Sequence, residues 1–212
     1  MKLRLFLILI AGAGTLSIRA SLFSSGTINA IIPDNNPNGY ASSINVTGLG
    51  SSLQTLSVSL NVSGGYNGDL YAYLIGPTGQ MTVLLNRVGT GGGNTYGYAN
   101  AGFDITVSDS GATGLHNYQD NSSSYNGGQL TGNWQPDSGG LSFATRYGSS
   151  DPNGTWSLFF ADLSQGSQST LVGWSLDITA VPEPVNLALG IMAVVVGGAA
   201  IVRRYFIPVK TN

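Results

Sequence analysis

Leu56-Ser57-Val58-Ser59-Leu60-Asn61-Val62 is a run in which apolar and small polar side chains alternate strictly. A period of two is that of a β-strand, whose successive side chains point to opposite faces of the sheet. The run therefore predicts a strand with one buried face and one face towards water. Residues 21–180 contain no run of useful length with the helical period. The strand period of this run and the lack of helical runs together predict an all-β fold.

The segment that follows this run predicts a hairpin. Residues 70–75 are apolar or aromatic at every position, which predicts a strand that is covered on both faces and central in its sheet. Gly76-Pro77-Thr78-Gly79 predicts a turn, because proline presets the backbone of the second turn position, and residues 81–85 then return as the partner strand. Further strands are predicted at residues 27–32, 43–47, 103–107, 155–161 and 172–179.

Many short strands separated by glycine-rich turns predict an all-β domain, either a sandwich or a barrel. Trp156 and Trp174 lie on the two final predicted strands, among alternating apolar residues, and both are predicted to be at least partly buried. Residues 111–140 have little periodicity and are predicted to form a long loop.

The charge of the central segment restricts its partners. Residues 21–180 carry two arginines against nine aspartates, a formal charge of −7, and they contain neither lysine nor glutamate. A domain this acidic is not suited to phosphate backbones, so nucleic acid is excluded as a partner. The chain has no cysteine, so an exported domain must be stabilised by its core rather than by disulfides.

The first twenty residues have the features of a secretory signal peptide. Lys2 and Arg4 precede an apolar segment at residues 5–13, and Ala20 is a small residue suited to the position before the cut. Residues 1–20 are therefore predicted to direct export, and the predicted domain, residues 21–180, is expected outside the cytoplasm. The alternative is an uncleaved N-terminal anchor.

The C-terminal end predicts one transmembrane helix. Residues 185–202 carry no charge, and as a helix they would span roughly 27 Å, close to the ~30 Å thickness of a bilayer core. Arg203 and Arg204 follow directly and are expected to stay on the cytoplasmic side, because arginine near a membrane span resists translocation.

Pro182, Glu183 and Pro184 stand just before this apolar segment, and Arg203 and Arg204 close it. The arrangement resembles the PEP-CTERM sorting signal of Gram-negative bacteria. The resemblance implies that residues 181–212 form a tail recognised and cut by exosortase, a membrane transpeptidase. The protein would then pass from an inner-membrane intermediate to the cell surface or the extracellular medium. The alternative is an ordinary single-pass anchor with a proline-rich stalk, which the mature protein keeps.

The central segment contains four further sequence blocks: Ile32-Pro33-Asp34-Asn35, Tyr66-Asn67-Gly68-Asp69-Leu70, Asn153-Gly154-Thr155-Trp156-Ser157-Leu158 and Leu171-Val172-Gly173-Trp174-Ser175-Leu176. Together they resemble the P domain (P/Homo B) of proprotein convertases and bacterial subtilisin-like proteases, over about residues 26–179. The resemblance implies a jelly-roll-like antiparallel β-sandwich. In that family the P domain follows a catalytic domain and stabilises it.

No catalytic residues are predicted in this chain. The segment before residue 26 is too short for a subtilisin domain, and the single histidine, His116, lies in a loop-like context. Asp109 and Asp120 are near it in sequence, but no nucleophile motif accompanies them, and a Ser-His-Asp triad needs all three parts. We interpret His116 as a solvated loop residue and expect no enzyme activity.

Three aspartates are candidate calcium ligands. Asp34 and Asp69 lie in predicted turns beside the family blocks, and Asp162 ends a predicted strand. Calcium takes six to eight oxygen ligands, often from aspartate side chains and loop carbonyls. The alternative is that Asp34 and Asp69 cap their own turns through the backbone.

Two classes of function agree with the sequence. The first is a non-catalytic module, displayed on or released from the cell envelope and associated with surface or extracellular polysaccharide. The second is an accessory domain that binds and stabilises a separate protease or another protein. Retention on polysaccharide would favour the first class, and a single stoichiometric protein partner would favour the second.

Overall fold

The computed structural model describes residues 20–121 and 123–181, with residues 190, 192–193 and 195–197 near the C-terminus. Nearly all of the predicted signal peptide lies outside the described residues. So do most of the predicted membrane segment and all five sorting residues, Pro182, Glu183, Pro184, Arg203 and Arg204. Among the described residues, no helix combines the length and the apolarity needed to cross a membrane.

The described part of the chain folds into two β-sheets that share one core. The strands are β1 (Ser21–Ser24), β2 (Ala30–Ile31), β3 (Asn36–Val46), β4 (Ser52–Gly64), β5 (Leu70–Ile75), β6 (Met81–Asn86), β7 (Gly102–Ser108), β8 (Ser124–Asn126), β9 (Gln129–Trp134), β10 (Gly154–Asp162) and β11 (Ser169–Val181). The larger sheet has the order β1-β11-β4-β7-β9-β8, with β2 also paired to β11, and the smaller has the order β3-β10-β5-β6. The fold is therefore an all-β sandwich, as the sequence predicts.

The alternating run at residues 56–62 lies in β4, in the interior of the larger sheet between β11 and β7. Its four apolar side chains are at most 3% exposed, so the predicted inward face is confirmed. Strand β5 lies between β10 and β6, which confirms its predicted central position. Trp156 and Trp174 are 0% and 3% exposed, also as predicted.

One pair of strands contradicts a purely antiparallel sandwich. Strands β7 and β9 pair in parallel, with Phe103 opposite Leu130 and Val107 opposite Trp134. A parallel pair requires a long crossover connection, and the residues between β7 and β9 supply it. The predicted loop at residues 111–140 is therefore wrong over β8 and β9. Strand β9 escapes a search for alternation because Leu130 and Trp134 are its only buried side chains.

A short helix, α1 (Phe143–Tyr147), packs two buried aromatic side chains against the sandwich. The Ser142 hydroxyl caps it by accepting from the Thr145 N–H at 3.0 Å. The Asp109 carboxylate also accepts from the Phe143 and Ala144 N–H groups, at 2.6 and 2.8 Å. Asp109 therefore satisfies unpaired amides of the first helical turn.

Candidate binding site

Asp162 is the last residue of β10 and has no exposed surface. Its Cα pairs with Leu70 on one flanking strand and Asn36 on the other, so the carboxylate lies where β3 and β5 begin. Its Oδ1 accepts a hydrogen bond from the Ser164 N–H at 3.2 Å. Its Oδ2 has no hydrogen-bond partner of normal geometry in the described part of the chain, although the nearby Asn35 N–H weakly opposes the rise in the pKa of this carboxyl. A buried carboxylate oxygen without a partner is costly, because water no longer solvates it.

Asp69 ends the 3-10 turn at Asn67–Asp69, directly before β5, and is 5% exposed. Its backbone carbonyl accepts from the Leu163 N–H at 2.9 Å, which ties the turn to the residue after β10. Asp34 lies between β2 and β3, and its carboxylate accepts from the Gly166 N–H at 3.1 and 3.3 Å. The partner of Asp34 is thus the loop after β10 rather than its own turn. We call Asp34, Asp69 and Asp162 the aspartate cluster.

The carboxylates of the aspartate cluster affect one another electrostatically. Burial raises the pKa of Asp162 to about 6, and the charges of Asp69 and Asp34 add to the increase. Burial also raises the pKa of Asp69, although the Ser164 hydroxyl and the charge of Arg87 oppose the change. The chain therefore holds three acidic groups together at a position where at least two of them resist ionisation.

Arg87 is the cation beside this cluster, and its own hydrogen bonds go to uncharged atoms. Its guanidinium donates to the Gly68 carbonyl, the Thr95 carbonyl and the Ser164 hydroxyl, at 3.3, 3.3 and 3.1 Å. Within the described residues, the ion pair that forms is one between His116 and Asp137, and it does not include Arg87. The aspartate cluster therefore keeps an excess of negative charge.

The structure brings the three predicted calcium ligands to one place, but it does not complete a metal site from side chains. Among the described residues, no group of three or more histidine, aspartate or glutamate side chains is suited to hold a metal ion. Calcium binding therefore stays a prediction at this point.

A cavity of about 490 Å³ opens beside the aspartate cluster. We call it the tyrosine groove; its lining consists of Tyr66, Tyr96, Gly97, Tyr98, Ala99, Asp69, Ser164 and Gln165. Tyr66 is 45% exposed and Tyr96 is 77% exposed, so their rings are available to a ligand. The groove thus combines aromatic walls with a few polar groups. It shares Asp69 with the aspartate cluster, and its Ser164 donates a hydrogen bond to Asp162.

Asn67 anchors the turn that carries Asp69, one of the residues lining the groove. Its fully buried side chain accepts from the Gly102 N–H at 2.7 Å and donates to the Gly102 carbonyl at 3.2 Å and the Tyr118 hydroxyl at 3.1 Å. Gly68 then allows the loop at residues 96–98 to approach, because a Cβ there would lie 2.3 Å from the Tyr96 carbonyl oxygen. The Gly68 N–H donates to the Tyr98 carbonyl at 2.9 Å and fixes that contact.

His116 is held in place rather than solvated, which corrects the sequence interpretation. Its Nδ1 lies 2.7 Å from Asp137 Oδ2 and its Nε2 lies 2.8 Å from the Thr90 carbonyl oxygen. Burial lowers the pKa of His116, but these two hydrogen bonds and the Asp137 charge outweigh it, and the net shift is upward. Asp109 and Asp120 are near His116 in sequence, but its carboxylate partner is Asp137, from the segment after β9.

The fold and this site define a two-sheet β-domain with an acidic, tyrosine-lined groove at the end of β10. The sequence matches the family described as "Proprotein convertase P-domain" over residues 53–178, which is more than half of the chain. The chain therefore belongs to the proprotein convertase P-domain family. The resemblance expected from the tryptophan blocks is confirmed, whereas the matched region begins later than the expected residue 26.

Two solved structures are similar over most of this chain. The Aeromonas sobria serine protease in complex with the chaperone ORF2 has 15% identity, covers 77% of this chain and 28% of its own, and gives a TM-score of 0.42. The Aeromonas sobria serine protease itself has 14% identity, covers 76% and 27% of the two chains, and gives a TM-score of 0.40. This chain thus spans little more than a quarter of either. No curated protein sequence matches it significantly.

Proposed function

We propose that this protein is an exported, non-catalytic P-domain module that binds surface or extracellular polysaccharide through the tyrosine groove. The groove itself is the observation that carries the proposal. Its volume of about 490 Å³ lies within the range of roughly 300–1,000 Å³ that small-molecule sites occupy.

The chemistry of the groove suits a sugar ring. A pyranose has faces of C–H groups and a rim of hydroxyls, so it needs apolar surfaces and hydrogen-bonding groups side by side. The rings of Tyr66, Tyr96 and Tyr98 provide the first, since aromatic rings offer large apolar faces. Asp69, Ser164 and Gln165 provide acceptors and donors for hydroxyls. The negative charge nearby disfavours uronic acids, so the proposed ligand is a neutral polysaccharide.

Retention on neutral envelope polysaccharide tests this function, with the full-length chain purified in detergent. We expect the wild type to be retained and Tyr96→Ala to lose at least about tenfold in affinity, the equivalent of ~1.4 kcal/mol. Tyr96 is mostly exposed, so its removal should leave the fold intact. Tyr125→Ala is the matched control, because Tyr125 is 44% exposed but lies on β8, outside the groove. Equal retention of both variants would contradict the proposal.

An accessory role for a separate protease or other protein is the second candidate, and family membership favours it, since P domains are accessory domains of proteases. The outer face of the smaller sheet offers a second surface. Tyr73 stacks on Phe159 with ring centroids 4.7 Å apart, and Tyr71 meets Tyr73 edge-on at 5.9 Å. Capture of one stoichiometric protein partner, lost when Phe159 is replaced by Ser, would support this candidate over polysaccharide binding.

The absence of hydrolase activity is part of the proposal. His116 uses one ring nitrogen on the Asp137 carboxylate and the other on a backbone carbonyl. Neither nitrogen is therefore free to accept a proton from a serine, as a catalytic triad requires. Peptide turnover that disappears in His116→Ala would overturn this part.

The C-terminal tail is proposed to direct sorting. The rings of Pro182 and Pro184 fix the backbone angle φ at these two positions, and Pro184 favours an extended backbone at Glu183, which precedes it. A protease cleft binds its substrate in an extended conformation of this kind. An exosortase-type enzyme would cut there and move the domain from the inner membrane to the surface or the medium. We expect the intact mass of the mature protein from native cells to lack residues 185–212. A mature mass that includes them, and is the same for wild type and Glu183→Ala, would leave only the plain anchor.

A further inference from the structure

The Asp162 carboxylate is buried, and protein atoms alone do not satisfy both of its oxygens. It is fully buried, its Oδ2 finds no hydrogen-bond donor among the described residues, and two further carboxylates lie close enough to repel it. Such a group is normally paired, hydrogen-bonded at both oxygens or bound to a cation. Its Oδ1 accepts from the Ser164 N–H, which orients the carboxylate, and the weak contribution of the Asn35 N–H leaves Oδ2 without a hydrogen bond of normal geometry.

We infer that the aspartate cluster is a calcium site, with Asp162 and Asp69 as direct ligands and Asp34 as an outer carboxylate. Both direct ligands meet at one residue: the Ser164 N–H donates to Asp162, and the Ser164 hydroxyl is a hydrogen-bond partner of Asp69. Asp34 holds the same loop through the Gly166 N–H. Three chain segments distant in sequence therefore deliver carboxylates around the loop at residues 163–166.

The donor types favour calcium over transition metals. The cluster offers carboxylate and backbone oxygens, whereas the histidine of the described chain is held elsewhere by Asp137. Hard oxygen donors suit calcium and magnesium, and irregular loop geometry suits calcium, which accepts six to eight ligands without strict angles. Two direct carboxylates leave the remaining positions to peptide carbonyls and water.

The tyrosine groove provides a path for the ion. Asp69 and Ser164 line the groove, and the Ser164 N–H donates to Asp162, so the buried carboxylate is adjacent to a residue of the groove wall. An ion entering there would bind Asp69 first and Asp162 behind it. Once bound, it would cancel the repulsion among the three carboxylates and fix the loop at residues 163–166.

Thermal unfolding of the full-length chain in detergent, in chelator and in millimolar calcium, tests the inference. At a calcium concentration about a hundredfold above the dissociation constant, we expect the wild-type melting temperature to rise by about 5 °C or more. Asp162→Asn should abolish the rise. In chelator the same variant should melt at or above the wild-type temperature, because an amide of equal shape removes the repelled charge.

Terbium luminescence gives a second readout, because the tyrosines of the groove are near enough to Asp69 to sensitise the ion. We expect a terbium signal that calcium displaces, that is lost in Asp162→Asn, and that is weakened at least tenfold in Asp69→Asn. Asp104→Asn is the control, since Asp104 is an exposed aspartate on β7 that lies outside the cluster. It should keep both the signal and the calcium-dependent rise.

Two results would overturn the calcium site. One is a melting temperature that does not change between chelator and calcium. The other is a terbium signal that Asp162→Asn leaves intact, which would place bound ions elsewhere. An Asp162→Asn variant that melts lower than the wild type by the same amount in chelator and in calcium would also overturn the calcium site, because the calcium-dependent rise would then not depend on Asp162. If Asp162→Asn fails to fold, Asp69→Asn decides the question by the same two measurements.

Discussion

Replacing Trp156 by alanine is expected to lower the free energy of unfolding by about 3–5 kcal/mol, the range for removing a large aromatic side chain from a core. Trp156 is fully buried on β10, and its indole N–H donates to the Pro152 carbonyl at 2.9 Å. Its ring packs against Tyr147 with a centroid distance of 5.1 Å. The substitution therefore removes apolar contacts, leaves a cavity and orphans a carbonyl at once.

Chemical denaturation measures this loss through the shift of the midpoint at constant slope. Thr155→Ala is the matched control, because Thr155 is the exposed neighbour on the same strand. Its effect should stay within ~0.5 kcal/mol, as for most surface substitutions. A loss below about 1 kcal/mol for Trp156→Ala would mean that the two sheets do not pack around this ring.

Asn67→Ala is expected to have the second largest effect, a loss of about 2–4 kcal/mol of unfolding free energy, because each buried polar group left without a partner costs ~1–3 kcal/mol. The truncation orphans both the N–H and the carbonyl of Gly102. Tyr118 keeps its hydrogen bond to Asn100 Oδ1 at 2.9 Å, so its hydroxyl stays satisfied. The effect is therefore concentrated where the turn before β5 meets β7.

The same variant should also weaken the binding site, since Asn67 anchors the turn that presents Asp69. Calcium and polysaccharide affinity are both expected to fall in Asn67→Ala. Asn45→Ala is the control, because Asn45 is an exposed asparagine on the outer face of β3. A variant of Asn67 as stable as that control would contradict the role we assign to its hydrogen bonds.

The elements with a strong period were predictable from sequence. Strand β4 alternates, β5 is apolar on both faces, and the tryptophan strands carry blocks typical of the P-domain family. The second apolar face of β5 proves to be the half-buried aromatic surface at Tyr71 and Tyr73. An alternating pattern does not show whether two strands pair in parallel or antiparallel. The parallel pairing of β7 with β9 was therefore not predicted.

The site was predictable only in part. Its three aspartates stood out because they flank motifs or end a strand, and the fold brings them together. The tyrosine groove was missed because Tyr66, Tyr96 and Tyr98 are distributed over two loops without any period. The signal that does exist is local: Tyr96-Gly97-Tyr98 places two aromatics around a glycine that adopts a φ of 72°. The hydrogen bonds of Asn67 to Gly102 and of His116 to Asp137 join segments that are distant in sequence, so the sequence alone did not predict them.

Mapping the bound polysaccharide onto the backbone by hydrogen–deuterium exchange tests the central claim most directly. The account predicts that saturating neutral polysaccharide protects amides at residues 66–69, 96–99 and 163–166. It also predicts that Tyr96→Ala removes this protection and that Tyr125→Ala does not. Protection confined to the outer face of β5 and β10, or the same protection in Tyr96→Ala, would contradict the tyrosine groove as the functional site.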